Sequence, residues 1–360
     1  LHGSGGSSAG RIAWSCNLNQ LKQELAQLLD LHQVRLEGTL TGNLDWKVPA
    51  AGALGLDASA QLRQLALRLP SSGLWQEPQL DIVASVEGTA LGNTISELSK
   101  ASLSLITTTD QLDLSLLAPV RPRGKSVSWP LHLHVTGGWS SWLARIRPFV
   151  PLPPVTVEGA INFDAKAQVN ADALILTEST FSSKPFHFAL PSMSVNEPEA
   201  TLELAARWNR NTGLLTIGNG VFRSTAAALR AQQVATNLGG GPGQLSGEFN
   251  VWANLELLSN QWRFSSRSTS PWRWRGTARG GVSLSEQEGV LTARWNANLD
   301  DGELLCKQAS PEQPRIVPAS AHQSWITVVR EPNLQFNGSV QYDPANAKLR
   351  LERCELVTAD

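Results

Sequence analysis

The sequence predicts a mostly β protein: a long, strongly curled, antiparallel-rich sheet forming an elongated groove, with a few short amphipathic helices. Three observations carry this. Most of the chain alternates apolar and polar residues with a period of two. Only three stretches have helical periodicity. Strand and helix patterns also recur along the chain, as they do in repeat architectures.

Taken in order, LHGSGGSSAG at 1–10 reads as a flexible Gly/Ser segment. The first helix is expected over 18–31, where Leu18, Leu21, Leu25, Leu28 and Leu29 form one apolar stripe and Asn17 or Asn19 caps the start. A strand follows at 36–46. The segment 50–80, with Pro70 and Pro78, fits the pattern poorly. Strands are expected at 111–117 and 131–135, then a short helix over 139–150 ended by Pro151. Residues 155–176 give the cleanest alternation, with Val155, Val157, Ile161 and Phe163 on one side and Thr156, Glu158 and Asn162 on the other. Alternation returns at 186–190, 245–257, 290–299 and 334–342, with turn signals at Asn211-Thr212-Gly213 and Asp301-Gly302. The Ala-rich 225–238, closed by Gly239-Gly240-Gly241, is read as a third helix.

The helix at 18–31 leads into Val34-Arg35-Leu36-Glu37-Gly38, and that at 139–150 into Val155-Thr156-Val157-Glu158-Gly159. Ser85-Val86-Glu87-Gly88 echoes the strand start without the helix. Separately, Pro198, Leu202, Trp208, Asn209 and Leu215 align without gaps with Pro332, Phe336, Tyr342, Asp343 and Leu349. These repeats divide the chain into a first β-groove region at 11–138 and a second at 139–360. Helices this short cannot cover so many strands, so the sheet is expected to curl or stack on itself.

Composition excludes several classes. No run of about 18 apolar residues is available to span a bilayer as a helix. Lys plus Arg is 30 against Asp plus Glu at 31, so no global positive field would hold a nucleic-acid backbone. Cys16, Cys306 and Cys354 lack metal-ligand spacing, and an odd number leaves at least one without an intrachain partner. The chain reads as an internal piece of something longer, so a missing signal or anchor carries no weight.

No nucleophile elbow, zinc-protease, phosphate-loop or dinucleotide motif is present. His132 and His134 share a strand face, but no carboxylate or cysteine at ligand spacing supports a metal. Glu37, Glu87 and Glu158 recur at strand starts beside glycine, as solvent-facing positions do. No enzyme, cofactor or metal is expected. Trp272 and Trp274 alternate with Arg273 and Arg275. This reads most simply as two core tryptophans with two solvated arginines, although base stacking or a lipid headgroup boundary would use the same residues. Trp139, Trp142, Leu143 and Ile146 roughly share a helix face and allow the same readings.

The helix at 18–31 leading to Val34-Arg35-Leu36-Glu37-Gly38-Thr39-Leu40, the segment 142–150 leading to Val155-Thr156-Val157-Glu158-Gly159-Ala160-Ile161, and the paired strands ending in an aromatic and a polar turn resemble the bacterial AsmA-like envelope proteins. That resemblance implies a β-groove with an apolar interior, in a periplasmic protein anchored in the inner membrane through a segment not present here. It implies phospholipid or another acyl-chain lipid as partner, with inner- or outer-membrane proteins, and a role in phospholipid transport or outer-membrane assembly. The groove would be lined by Leu36, Leu40, Val155, Val157, Ile161, Phe163, Phe249 and Val251, and no nucleic acid is expected to bind. The competing class is a β-sandwich or solenoid scaffold binding a protein or polysaccharide of the cell envelope. The small residues Gly38, Ala160, Ala165 and Ala167 leave room on the strands and favour a cavity.

Overall fold

A computed structural model describes residues 2–5, 8–27, 29–30, 33–48, 52–69, 73–91, 94–122, 127–149, 155–190, 193–238, 245–264, 272–287, 289–307, 325–343, 346 and 348–358. The protein is mostly β: 79% of the described residues lie in strands, with three short helices among them. The pairing is antiparallel throughout the registers described, and the strand order does not close on itself. Two compact units emerge: Leu1–Lys184 with Asn209–Asn211, and Pro185–Trp208 with Thr212–Asp360. Among the described residues no helix is long and apolar enough to cross a membrane.

The first unit is a meander. It runs β1 (His2–Gly5), β2 (Ala9–Asn17), α1 (Leu18–Leu25), β3 (Arg35–Lys47), β4 (Ala53–Arg68), β5 (Leu74–Leu91), β6 (Thr94–Thr107), β7 (Gln111–Leu116), β8 (Trp129–Gly138), α2 (Trp139–Ile146), β9 (Thr156–Val169) and β10 (Ala173–Leu190), whose last residues belong to the second unit. Each strand pairs with the next. Residues directly opposite each other in a ladder share a face. One apolar row therefore crosses eight strands as Trp14, Gly42, Ala60, Ile82, Leu105, Leu112, Val135 and Phe163. Beside it runs Ile12, Leu44, Ala58, Ala84, Leu103, Leu114, Leu133 and Ala165. The opposite face carries Ser15, Thr41, Gln61, Asp81, Ile106, Gln111, Thr136 and Asn162.

The second unit holds β11 (Met193–Glu197), β12 (Ala200–Asn209), β13 (Leu214–Ser224), β14 (Ala227–Asn237), β15 (Ser246–Asn254), α3 (Leu255–Gln261), β16 (Trp262–Phe264), β17 (Trp272–Gln287), β18 (Val290–Lys307), β19 (Trp325–Asp343) and β20 (Lys348–Thr358). Strands β12 to β15 and β17 to β20 pair in sequence order, whereas β11 pairs with β16, and β15 with β17. Its apolar face includes the row Leu202, Phe222, Leu229, Val251, Gly280, Ala297, Phe336 and Leu356.

The repeat read from the sequence has a structural basis. Each helix interrupts a strand pair immediately after a cap residue, Asn17, Gly138 or Asn254. The strands directly after α1 and α2 carry a glycine at positive φ, Gly38 (123°) and Gly159 (125°), and after α3 the corresponding glycine, Gly276 (113°), lies one strand further on, in β17. At Gly38 a Cβ would come within 2.7 Å of the Arg63 carbonyl oxygen, so only glycine permits that bulge without displacing the neighbouring strand. The aligned hairpins also correspond in register. Trp208 pairs with Leu215 and Tyr342 with Leu349, and the bulges at Ala205/Ala206 and Ser339/Val340 fall at aligned positions.

Four sequence expectations change. The Ala-rich 225–238 is strand β14, because paired neighbours on both sides outweigh the alanine preference for helix. The segment 50–80 is not an exception, since β4 and β5 occupy most of it. Pro78 is tolerated because it lies opposite Gln64, whose φ of 53° marks a break in the ladder. The helices at 18–31 and 139–150 are shorter than expected, and their ends at 28, 31 and 150 lie outside the described residues. His2–Gly5, within the stretch expected to be flexible, pairs with β2.

Small residues on the apolar faces make room for tryptophan. A Cβ on Gly10, Gly42 or Gly338 would fall 2.1, 2.4 or 2.2 Å from the ring of Trp46, Trp14 or Trp295, each directly across the ladder. Gly42→Val should displace the Trp14 ring and destabilise the first unit by about 1–3 kcal/mol. A chemical-denaturation midpoint equal to that of the parent protein would refute this packing.

Candidate functional site

Six of the eight residues expected to line a groove occupy the apolar rows or pair with apolar partners. Leu36 faces Leu67 and Leu40 faces Leu62. Ile161 is buried opposite Gly137, and Phe163 stands opposite Val135. Phe249 pairs with Val282, and Val251 with Leu229 and Gly280, in the second unit. Val157 is buried near the start of β9. Val155 precedes that strand, and its carbonyl accepts a hydrogen bond from the Arg147 guanidinium.

The rows are mostly half-buried, Ala165 being buried; among the described residues Leu65, Leu80 and Leu305 are buried apolar side chains, and the largest fully buried side chains are Glu197 and Ser183. Two surface hollows lie along the polar faces. One, of about 780 Å³, is lined in the first unit by Ser15, Thr41, Asn43, Ser59, Gln61 and Asp81. The other, of about 610 Å³, spans β13 to β19 around Trp252.

The strongest electrostatics in the molecule hold helices in place. Arg145 of α2 donates to both oxygens of Glu77 on β5 (2.6 and 3.2 Å) and to Asp110 Oδ2 (2.7 Å), and it stacks over the Trp142 ring at 5.2 Å. Asp110 also accepts from the Gly138 N–H and the Ser141 hydroxyl, both at 2.7 Å. It thereby caps a helix whose own N-cap residue has no side chain. Burial works to raise the Asp110 pKa, but donors from Thr109, Arg145, Gly138 and Ser141 outweigh it and bring the carboxyl down to about 2. Burial likewise works against the Arg145 cation, yet its two carboxylates raise the Arg145 pKa above its ordinary value.

The second unit has a counterpart. Glu197, 2% exposed, accepts from Trp262 Nε1 at 2.6 Å and from the Thr225 N–H and hydroxyl at 3.1 and 2.7 Å. The Gln261 amide, turned to donate, lies 2.9 Å from Glu197 Oε2. This ties the end of α3 to the loop before β14. Such clusters are positioned by the fold and join residues far apart in sequence, so spacing motifs could not reveal them. The only local clue is Arg145, a charge on the otherwise apolar side of 139–149.

His132 and His134 meet a carboxylate that sequence spacing could not reveal, because it is brought in by the neighbouring strand. Asp164 of β9 lies 2.8 Å from His132 Nε2 and 3.3 Å from His134 Nδ1. All three stand on the exposed polar face. Among the described residues no group of three or more His, Cys, Asp or Glu could hold a metal. Glu37 and Glu87 face solvent and pair with Arg35 and Lys100.

The tryptophans depart from expectation in two places. Trp272 and Trp274 are not core residues but 45% and 47% exposed, in rows that continue through Cys306 to Ile326 and through Leu304 to Val329, where the surface is equally open. Arg273 stacks over Trp325 at 4.3 Å. Trp139 and Trp142 are half-buried within the first unit, their indole N–H groups donating to Ser183 Oγ and the Thr136 carbonyl. None of the three cysteines is in a disulfide. No protein-family model matches the chain, and neither the curated proteins nor the solved structures contain a significant match to it.

Proposed function

We propose that the apolar faces of this protein carry the acyl chains of phospholipids. In this reading it is an AsmA-like, inner-membrane-linked bridge or chaperone-like groove protein of the periplasm, supporting lipid transport or outer-membrane assembly. The observation that carries the reading is the half-buried apolar row running unbroken from Trp14 on β2 to Phe163 on β9. A contiguous apolar face that keeps part of its area accessible is the kind of surface that takes an apolar partner. Each methylene placed against it is worth about 0.8 kcal/mol. Curling of the sheet would bring the rows around the chains and leave headgroups in water. A ladder without a dominant polar anchor lets a lipid slide, because no single position holds it.

Native mass spectrometry of the purified protein, followed by organic extraction, tests this. Phospholipid is expected at one or more molecules per chain, and Phe249→Glu should lower its occupancy while leaving the circular dichroism unchanged. A lipid-free mass together with no uptake of fluorescent phospholipid would overturn the proposal.

A further inference from the structure

The hollow of about 610 Å³ in the second unit is bordered by Leu229, Val251, Gly280 and Ala297 of the apolar row, but the side chains that give it its chemistry stand on the opposite, polar face. Trp252 pairs with Ala228 on one side and Arg279 on the other, which puts it on the face opposite Phe249 and Val251. Its ring is 36% exposed and stands among Arg230, Asn250, Arg279, Asn298 and Gln335. The floor is kept low by Ala228 and by Gly281, whose N–H is held by the Asn296 side-chain oxygen at 2.8 Å.

Both guanidiniums are weakly engaged. Arg230 reaches Asn219 at 3.4 Å, and Arg279 lies 3.9 Å from Asp300. Neither contact has the short, paired geometry that satisfies an arginine. The hollow therefore offers one exposed apolar ring, planar amides that both donate and accept, and two cations with spare donors. A concave surface with a flat apolar ring and a few convergent polar groups has the composition of a ligand site. A pyranose ring presents an apolar C–H face to an indole and vicinal hydroxyls to amides, and an acidic sugar adds a carboxylate matched to guanidinium. A nucleic acid fits less well: the formal net charge of the chain is -1, and a single ring gives no stacking track.

We infer that this hollow binds an acidic glycan, with Trp252 stacking on a sugar ring and Arg230 and Arg279 pairing with its carboxylates. Isothermal titration of the full chain with oligogalacturonate tests the site, with neutral dextran oligosaccharide and inorganic phosphate as comparisons. Oligogalacturonate is expected to bind, more weakly as salt is raised. Trp252→Ala and Arg279→Gln should each weaken it about tenfold, while Trp252→Phe and Arg279→Lys retain most of the affinity. Circular dichroism of each variant separates lost binding from lost fold. Absence of oligogalacturonate binding, equal affinity in Trp252→Ala and the parent, or equal affinity for dextran would each overturn the assignment. Competition by phosphate alone at equal strength would also overturn it, because a simple anion site needs no ring.

Discussion

Arg145→Ala is expected to destabilise the first unit by about 3–5 kcal/mol, since it leaves two buried carboxylates without their cation. Asp110 is 4% and Glu77 5% exposed, so water cannot replace the lost donors. Hydrogen exchange should report the loss first in the amides of α2, which Arg145 fastens to β5 and to the turn before β7. Removing the carboxylates as well, in Glu77→Gln with Asp110→Asn and Arg145→Met, should recover much of the difference, because the buried charges then disappear together. Exchange in α2 unaltered by Arg145→Ala would disprove this role.

The same network has an acid signature. The native Asp110 pKa, about 2, lies below its ordinary 3.8, so its contribution is fully present above the ordinary value. It is lost as pH falls from about 4 towards 2, an effect of roughly 2 kcal/mol. Denaturation curves for Asp110→Asn should therefore depend less on pH across that window than those of the parent. An unchanged slope would show that Asp110 is not the titrating group.

Glu197→Ala should have the second largest effect, about 2–4 kcal/mol on the second unit. It strands the Trp262 indole N–H and the Thr225 N–H, and it opens a small void. Glu197→Gln keeps the shape and one acceptor and should lose less. The two variants are ranked by denaturant midpoint with a probe in α3 or β14. Equal midpoints for Glu197→Ala and the parent would contradict the assignment.

Much of the β architecture was legible because the cause is local: a strand with one dry and one wet face writes its period directly into the sequence. The runs at 36–46 and 155–176 illustrate this, although the second is broken by a turn at 170–172 between β9 and β10. Helix α3 was missed because it has only seven residues, and Leu255, Leu257 and Leu258 look like a continuation of the alternating strand before it. Asn254, whose side chain accepts from the Leu257 N–H, was the available signal. The exposed position of Trp272 and Trp274 was illegible for the opposite reason. Hydrophobicity records a preference for burial, whereas the presence of a covering element depends on the tertiary arrangement. The carboxylate clusters depend on strand order, since Glu77, Asp110 and Arg145 meet only after β5, β6 and α2 have been brought together.

The strand–helix–strand module with its positive-φ glycine bears on how such a protein changes length. Most of the described strands are completed by their sequence neighbours, with β11–β16 and β15–β17 as exceptions. Duplicating one module within a unit would add ladder bonds and apolar area in proportion, without requiring existing side chains to repack. Tandem duplication would thus extend the ladder within a unit, with the glycine bulge as the mark each copy leaves behind.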